Sequence, residues 1–155
     1  MQYRILGKTE LQVSILGFGV SPVGNVFEPV EESEAINALH YGIDNGINFF
    51  DVAPFYGDTL AETRLGKALK GKRQNIILAT KCCRYIDHFD FSYNRVIKGI
   101  DESLQRLQTD YVDLFQLHDI EFGSEEQVLN EAMPAIMKVK ESGKARFVGI
   151  TGLPV

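Results

Sequence analysis

The chain has 155 residues, 45% of them hydrophobic and 24% charged, enough apolar content for one globular unit with a buried core, which excludes a disordered tail. A net charge of -5, a pI near 5.2 and no basic block longer than the pair in GKR argue against nucleic acid or an anionic membrane as partner and for a small molecule. The only cysteines, Cys82 and Cys83, are adjacent and give neither a disulfide framework nor spaced metal couplets, and no apolar leader or membrane-length stretch occurs, so a reducing, cytoplasmic setting is expected.

Two short alternating runs flank GKTE in residues 2–14 and predict a hairpin. ILGFG (15–19) predicts a strand, VEESEAINALHYGIDNG (30–46) an amphipathic helix stopped by Gly46, and INFFD (47–51) a second strand. A helix over LAETRLGKALKG (60–71), a strand NIILATK (75–81), a long helix at 92–108 with Ser92 as N-cap and a strand YVDLFQLH (111–118) follow. The next helix, 124–144, is expected to bend or break at Pro134 before a last strand, ARFVGIT (145–151). Five strands alternating with four helices at this spacing are consecutive βα units, so the strands run parallel. Their continuous apolar runs predict sheets covered on both faces. Two architectures take the pattern: an open doubly wound sheet, or part of a (β/α)8 TIM barrel.

Asp51, Lys81 and His118 end three successive strands, where a parallel sheet or a barrel gathers strand ends along one rim. Taken singly, Asp51 reads as a turn cap, Lys81 as a solvated strand end, His118 as a satisfied core or turn histidine, and Tyr56 as packing. Together they form an acid/base device. A phenol ordinarily titrates at roughly 10, too high for ready proton exchange at neutral pH, and a nearby ammonium stabilises its anion. Asp51 would hold Lys81, Lys81 would act on Tyr56, Tyr56 would move the proton, and His118 would orient or polarise the substrate oxygen.

The order Asp51, Tyr56, Lys81, His118, set in GINFFDVAPFYG, ATK and LHDIE, resembles the catalytic tetrad of the aldo-keto reductases. DESLQRLQTDYVDLFQLH (101–118) resembles the family segment leading into the histidine, and GKARFVGIT (143–151) its fifth strand. The resemblance implies a (β/α)8 barrel of aldo-keto reductase type, with residues 1–155 an incomplete N-terminal part of that domain: the hairpin plus five strands. It also implies an NAD- or NADP-dependent oxidoreductase with Gly19, Val20, Ser21, Asp51 and Thr151 on the cofactor side and no metal. SPVGNVF, ATKCCRY, HDIEFG and GITGLP resemble the branch that oxidises aldoses such as L-galactose at the anomeric carbon, which makes a small sugar the expected substrate. One departure stands out: where the family usually places Ser-Asn after the fifth strand to hold the nicotinamide amide, this chain has Thr151-Gly152, and Gly152 has no side-chain amide.

Other signals are weaker. GKALKGKR (66–73) nearly spells a phosphate loop, but Arg73 stands where Ser or Thr should hold magnesium, and the segment runs from helix to strand. GFGVSPVG (17–24) lacks a third glycine in register. HDIE as metal ligands lacks companions, with only His40, His88 and His118 in the chain. Cys82 and Cys83 read as small hydrophobes, and Phe49, Phe50 and Phe55 as core and pocket walls. A complete barrel takes about 250 residues. The alternative expectation is therefore a truncated, non-catalytic barrel fragment that self-associates or pairs with another chain through open sheet edges.

Overall fold

The computed structural model describes residues 1–153. Tyr3–Ile5 (β1) and Gln12–Ser14 (β2) pair antiparallel, as the two alternating runs predict. The Leu6 N–H donates to the Leu11 carbonyl at 2.8 Å across a turn in which Gly7 takes a left-handed φ of 54°. Asn48 fastens this hairpin to the rest of the chain: its side chain accepts from the Ser14 N–H at 2.7 Å and donates to the Gln12 carbonyl at 2.8 Å. Asn48 immediately precedes the strand Phe49–Asp51, so the hairpin sits at that strand's amino end, away from the rim where its carboxyl end lies.

Phe18–Gly19 (β3), Phe49–Asp51 (β4), Ile77–Cys82 (β5), Val112–Leu117 (β6) and Ala145–Ile150 (β7) form one parallel sheet in the order β3-β4-β5-β6-β7. That order decides between the two architectures. A doubly wound sheet reverses its strand order at a switch point, whereas a barrel adds each strand beside the last. The helices are Glu32–Asp44 (α1), Leu60–Ala68 (α2), Tyr93–Leu107 (α3), Glu125–Gln127 (α4) and Met133–Glu141 (α5). Among the described residues no helix is long and apolar enough to cross a membrane.

Three local departures from the expected elements have physical causes. The strand expected at 15–19 shrinks to Phe18–Gly19, because exposed Ile15 and Leu16 are spent crossing from the hairpin to the sheet. Ser21–Gly24 closes into a 3-10 turn with Pro22 in its first turn. The helix around Pro134 neither breaks nor kinks freely: a five-residue π-helical turn, Val128–Ala132, joins α4 to α5. Proline has no N–H for the carbonyl four residues back and its ring crowds that carbonyl, so a widened turn just upstream removes the conflict while the helix continues.

Strand alternation separates the two faces of the sheet. The Thr80 hydroxyl donates to Glu62 of α2 at 2.6 Å, so Leu78, Thr80 and Cys82 face the helices while Ile77, Ala79 and Lys81 face the other way. On the helix side Phe50, Leu78 and Phe115 are completely buried, each worth about 1.5–3 kcal/mol relative to exposure. On the inner side Phe49, Leu114 and Phe147 are only half-buried. The expectation of cover on both faces thus holds for β5, buried throughout, while the inner faces of β4, β6 and β7 are only partly covered, since among the described residues β3 and β7 each pair along one edge and five strands do not close. Buried acids in this core are fully partnered. Glu62 takes the Arg106 guanidinium at 2.6 Å as well as Thr80, and Asp113 accepts from the Leu78 N–H, Arg73 and Arg146.

Candidate active site

Asp51 is the last residue of β4, Lys81 the fifth residue of β5, and His118 the first residue beyond β6. Their neighbouring strands bring them to one rim, and the loop after β4 folds Tyr56 back over it. Lys81 is 5% exposed, so its ammonium depends on protein acceptors. Nζ donates to Asp51 Oδ2 at 2.6 Å, to the Val52 carbonyl at 3.1 Å and to Tyr56 Oη at 3.4 Å. The His118 ring lies edge-on to the Tyr56 ring with centroids 5.9 Å apart, and edge-on to Phe55 at 6.2 Å. All four residues picked out in the sequence therefore share one cluster.

The loop that carries Tyr56 is tightly constrained. Gly57, Asp58 and Thr59 are successive left-handed residues, with φ of 64°, 50° and 73°, and they turn the chain sharply into α2. For β-branched Thr59 this conformation is strained, a feature associated with functional loops. A Cβ on Gly57 would lie 1.7 Å from the Gly24 carbonyl oxygen, so the 3-10 turn after β3 presses directly on the residue next to Tyr56. Buried Arg64 holds that turn from below, donating to the Val23 carbonyl at 2.6 Å and to the Val30 carbonyl at 2.9 Å.

His118 is buried, and burial pushes its imidazole down to about 4, against the opposing pull of the Asp119 carboxylate; the ring is neutral at physiological pH. Its backbone N–H donates to the Cys82 carbonyl at 3.0 Å. Among the described residues its buried Nδ1 has no hydrogen-bond partner.

The residues expected on the cofactor side are placed unevenly. Gly19 lies beside Asp51 in the strand register and has open space over its Cα, and Ser21 is half-buried. Val20 is wholly buried, its N–H donates to the Asp51 carbonyl and its own carbonyl accepts from Val23, which leaves it no free polar group. The Thr151 hydroxyl is engaged inside the protein, accepting from the Asp119 N–H at 3.0 Å and donating to Asp119 Oδ1 at 3.2 Å. A cavity of about 630 Å³ lies near this end, between Ile120, Val128, Leu129 and Ile150, yet it touches none of the four clustered residues. Its mostly apolar wall carries two acids, Glu121 and Glu125, and no base or phenol, so the chemistry belongs to the cluster. Among the described residues no three His, Cys, Asp or Glu side chains gather as a metal set. Cys82 and Cys83 are buried free thiols, with burial pushing the Cys82 thiol well up.

Sequence reasoning passed over two charged residues at this rim. Arg84 lies with its guanidinium carbon 3.8 Å from the Phe55 ring centre and pairs with Asp119 at 2.5 Å. Asp119 adjoins His118 in HDIE, where the sequence offers it only as a metal ligand.

The model of the aldo/keto reductase family matches residues 15–155. The L-galactose dehydrogenase of Arabidopsis thaliana is 54% identical over 158 aligned residues, covering 100% of this chain and 50% of that protein. The D-threo-aldose 1-dehydrogenase of a Pseudomonas species is 32% identical, over 90% of this chain and 50% of that protein. Among solved structures, the holo form of an aldo-keto reductase from Bacillus halodurans superposes with a TM-score of 0.87 at 37% identity, over 99% of this chain and 51% of the other. A Klebsiella pneumoniae aldo-keto reductase in complex with NADPH gives 0.82 at 30% identity, over 99% of this chain and 50% of the other. The chain spans about half the length of the curated relatives it matches.

Proposed function

Because the chain belongs to the aldo/keto reductase family, we propose that the complete enzyme is an NAD(P)-dependent oxidoreductase that oxidises an aldose such as L-galactose at its anomeric carbon. The observation that carries the reading is the buried Lys81 ammonium set between the Asp51 carboxylate, at 2.6 Å, and the Tyr56 phenol, at 3.4 Å. Oxidation of a cyclic sugar to its lactone removes the anomeric O–H hydrogen as a proton and the C–H hydrogen as a hydride. Tyr56, in its phenolate form, takes the proton and becomes the phenol. Lys81 holds positive charge beside the phenol oxygen as that oxygen exchanges the proton, and Asp51 keeps the ammonium in place despite burial. His118, neutral, donates to the anomeric oxygen and orients it.

These groups move protons and none of them accepts a hydride, so the donor set calls for a carrier. A nicotinamide dinucleotide supplies that acceptor when bound. Gly19 and Ser21 would line it on the side of Asp51, with Thr151 across the rim and without an amide from Gly152. Similarity to the two aldose-oxidising relatives supports the sugar, and the fit to the NADPH-bound structure supports the carrier.

A panel of aldoses, simple alcohols, steroids and aliphatic aldehydes, assayed with NAD and with NADP, tests the reading. L-Galactose, or a sugar of the same configuration near the anomeric carbon, is expected to be oxidised faster than any simple alcohol. Turnover of steroids or aliphatic aldehydes with no sugar oxidation overturns the substrate assignment.

A further inference from the structure

Four successive strand ends are tied together on one side of His118. Asp119, left-handed at φ 55°, comes from the end of β6; Arg84, after β5, reaches its Oδ2, and Thr151, after β7, holds its N–H and its Oδ1. Arg84 in turn covers Phe55 from the loop after β4. The carboxylate so fixed places Oδ2 3.6 Å from His118 Nε2, too far for a hydrogen bond but well within reach of its field.

A neutral imidazole carries its proton on one nitrogen only. On His118 the two positions are unequal. A proton on Nδ1 is a buried donor without an acceptor, whereas a proton on Nε2 lies in the field of the Asp119 carboxylate. Orphaned buried donors are the rarer case.

We propose that Asp119, held by Arg84 and Thr151, is a positioning residue that fixes His118 as the Nε2–H tautomer, so that the neutral ring presents a donor to the substrate oxygen. The inference rests on the proposed role of His118 at that oxygen. The groups facing the ring are the Lys81, Arg84, Asp119 and Glu121 charges, the Tyr56 phenol and the Cys82 carbonyl. Burial, Lys81 and Arg84 disfavour the imidazolium, while Asp119 and Glu121 favour it. Removal of Asp119 and removal of Arg84 therefore move the ring in opposite directions, which a general loosening of the fold does not do.

The test is nitrogen NMR of the His118 ring in the complete enzyme across pH, for the wild type, Asp119→Asn, Asp119→Glu and Arg84→Met. The wild type is expected to show the Nε2–H tautomer. Asp119→Asn should lose that preference and protonate at lower pH, Arg84→Met should protonate at higher pH, and Asp119→Glu should restore the wild-type pattern. In steady state Asp119→Asn should lower kcat about tenfold while cofactor Kd stays within about twofold. A wild-type tautomer in Asp119→Asn, or titration shifts of the same sign in Asp119→Asn and Arg84→Met, overturns the proposal. Should Asp119→Asn not fold, Thr151→Val releases the brace and keeps the charge; it is expected to weaken the tautomer preference, and an unchanged ring overturns the proposal. The NMR outcome does not depend on turnover, so an enzyme inactive on sugars would sink the proposed function and leave this result to stand or fall separately.

Discussion

Lys81 is the residue whose removal discriminates most sharply. Its three acceptors come from Asp51, Val52 and Tyr56, so a methionine of similar length keeps the packing and deletes the charge the phenol and the carboxylate share. Lys81→Met in the complete enzyme is expected to lower turnover at least about 10²-fold, the lower end of what a positioned acid/base system contributes. Steady-state kinetics on L-galactose measure it, and turnover within about threefold of wild type overturns the tetrad reading. At this scale the four clustered side chains were legible, because Asp51, Lys81 and His118 are ionisable groups at or just beyond strand ends and Tyr56 follows in the loop after the first of them. Arg84 and the Asp119–Thr151 contact were not. They meet only when loops 35 and 32 residues apart in sequence converge, and no local pattern marks that.

Among the elements, the close approach of α2 to α3 beside the Glu62–Arg106 pair depends on a missing side chain. A Cβ on Gly66 would lie 2.1 Å from the Arg106 carbonyl oxygen and 2.9 Å from Leu107 backbone atoms, so the helices touch backbone to backbone there. Glycine to alanine in an ordinary helix interior is stabilising by about 0.5–1 kcal/mol. Here the overlap is with main chain, which cannot swing aside, and forced repacking costs about 1–3 kcal/mol or more. Gly66→Ala is therefore expected to destabilise, read as a lowered midpoint in chemical denaturation. A raised midpoint would show that the two helices have room to part. Helix positions were legible from apolar spacing and from Ser92, whose hydroxyl accepts the Arg95 N–H at 3.3 Å as an N-cap should. The π turn before Pro134 was not, since the sequence reveals the conflict at proline and several geometries resolve it.

For the molecule as a whole, the open sheet governs behaviour. Among the described residues β3 and β7 present unpaired edges, half-buried Phe49, Leu114 and Phe147 line the inner face, and Leu129, Met133 and Met137 leave an exposed apolar stripe along α4 to α5. The 155-residue chain on its own is expected to self-associate, to bind nicotinamide cofactor poorly and to show no measurable dehydrogenase activity. Hydride transfer needs the cofactor held at reacting distance, and under the proposed reading Gly19, Ser21 and Thr151 would supply only a partial cradle. Light scattering alongside an NADH fluorescence titration measures both, and a monodisperse monomer that binds NADH at micromolar levels overturns the expectation.

The sequence by itself determined the succession of βα units, the hairpin ahead of them and the residue types at the strand ends, because apolar periodicity and chain order are local properties. Which of two parallel architectures those units build was left open by periodicity, and the unbroken neighbour order β3 to β7 decided it. Tertiary structure alone decided that the Lys81 ammonium is buried between a carboxylate and a phenol, that Val20 turns wholly into the core, and that Thr151 gives its hydroxyl to Asp119. Such facts depend on which side chains lose their water and which partner replaces it, and that is fixed only when segments distant in sequence pack against one another.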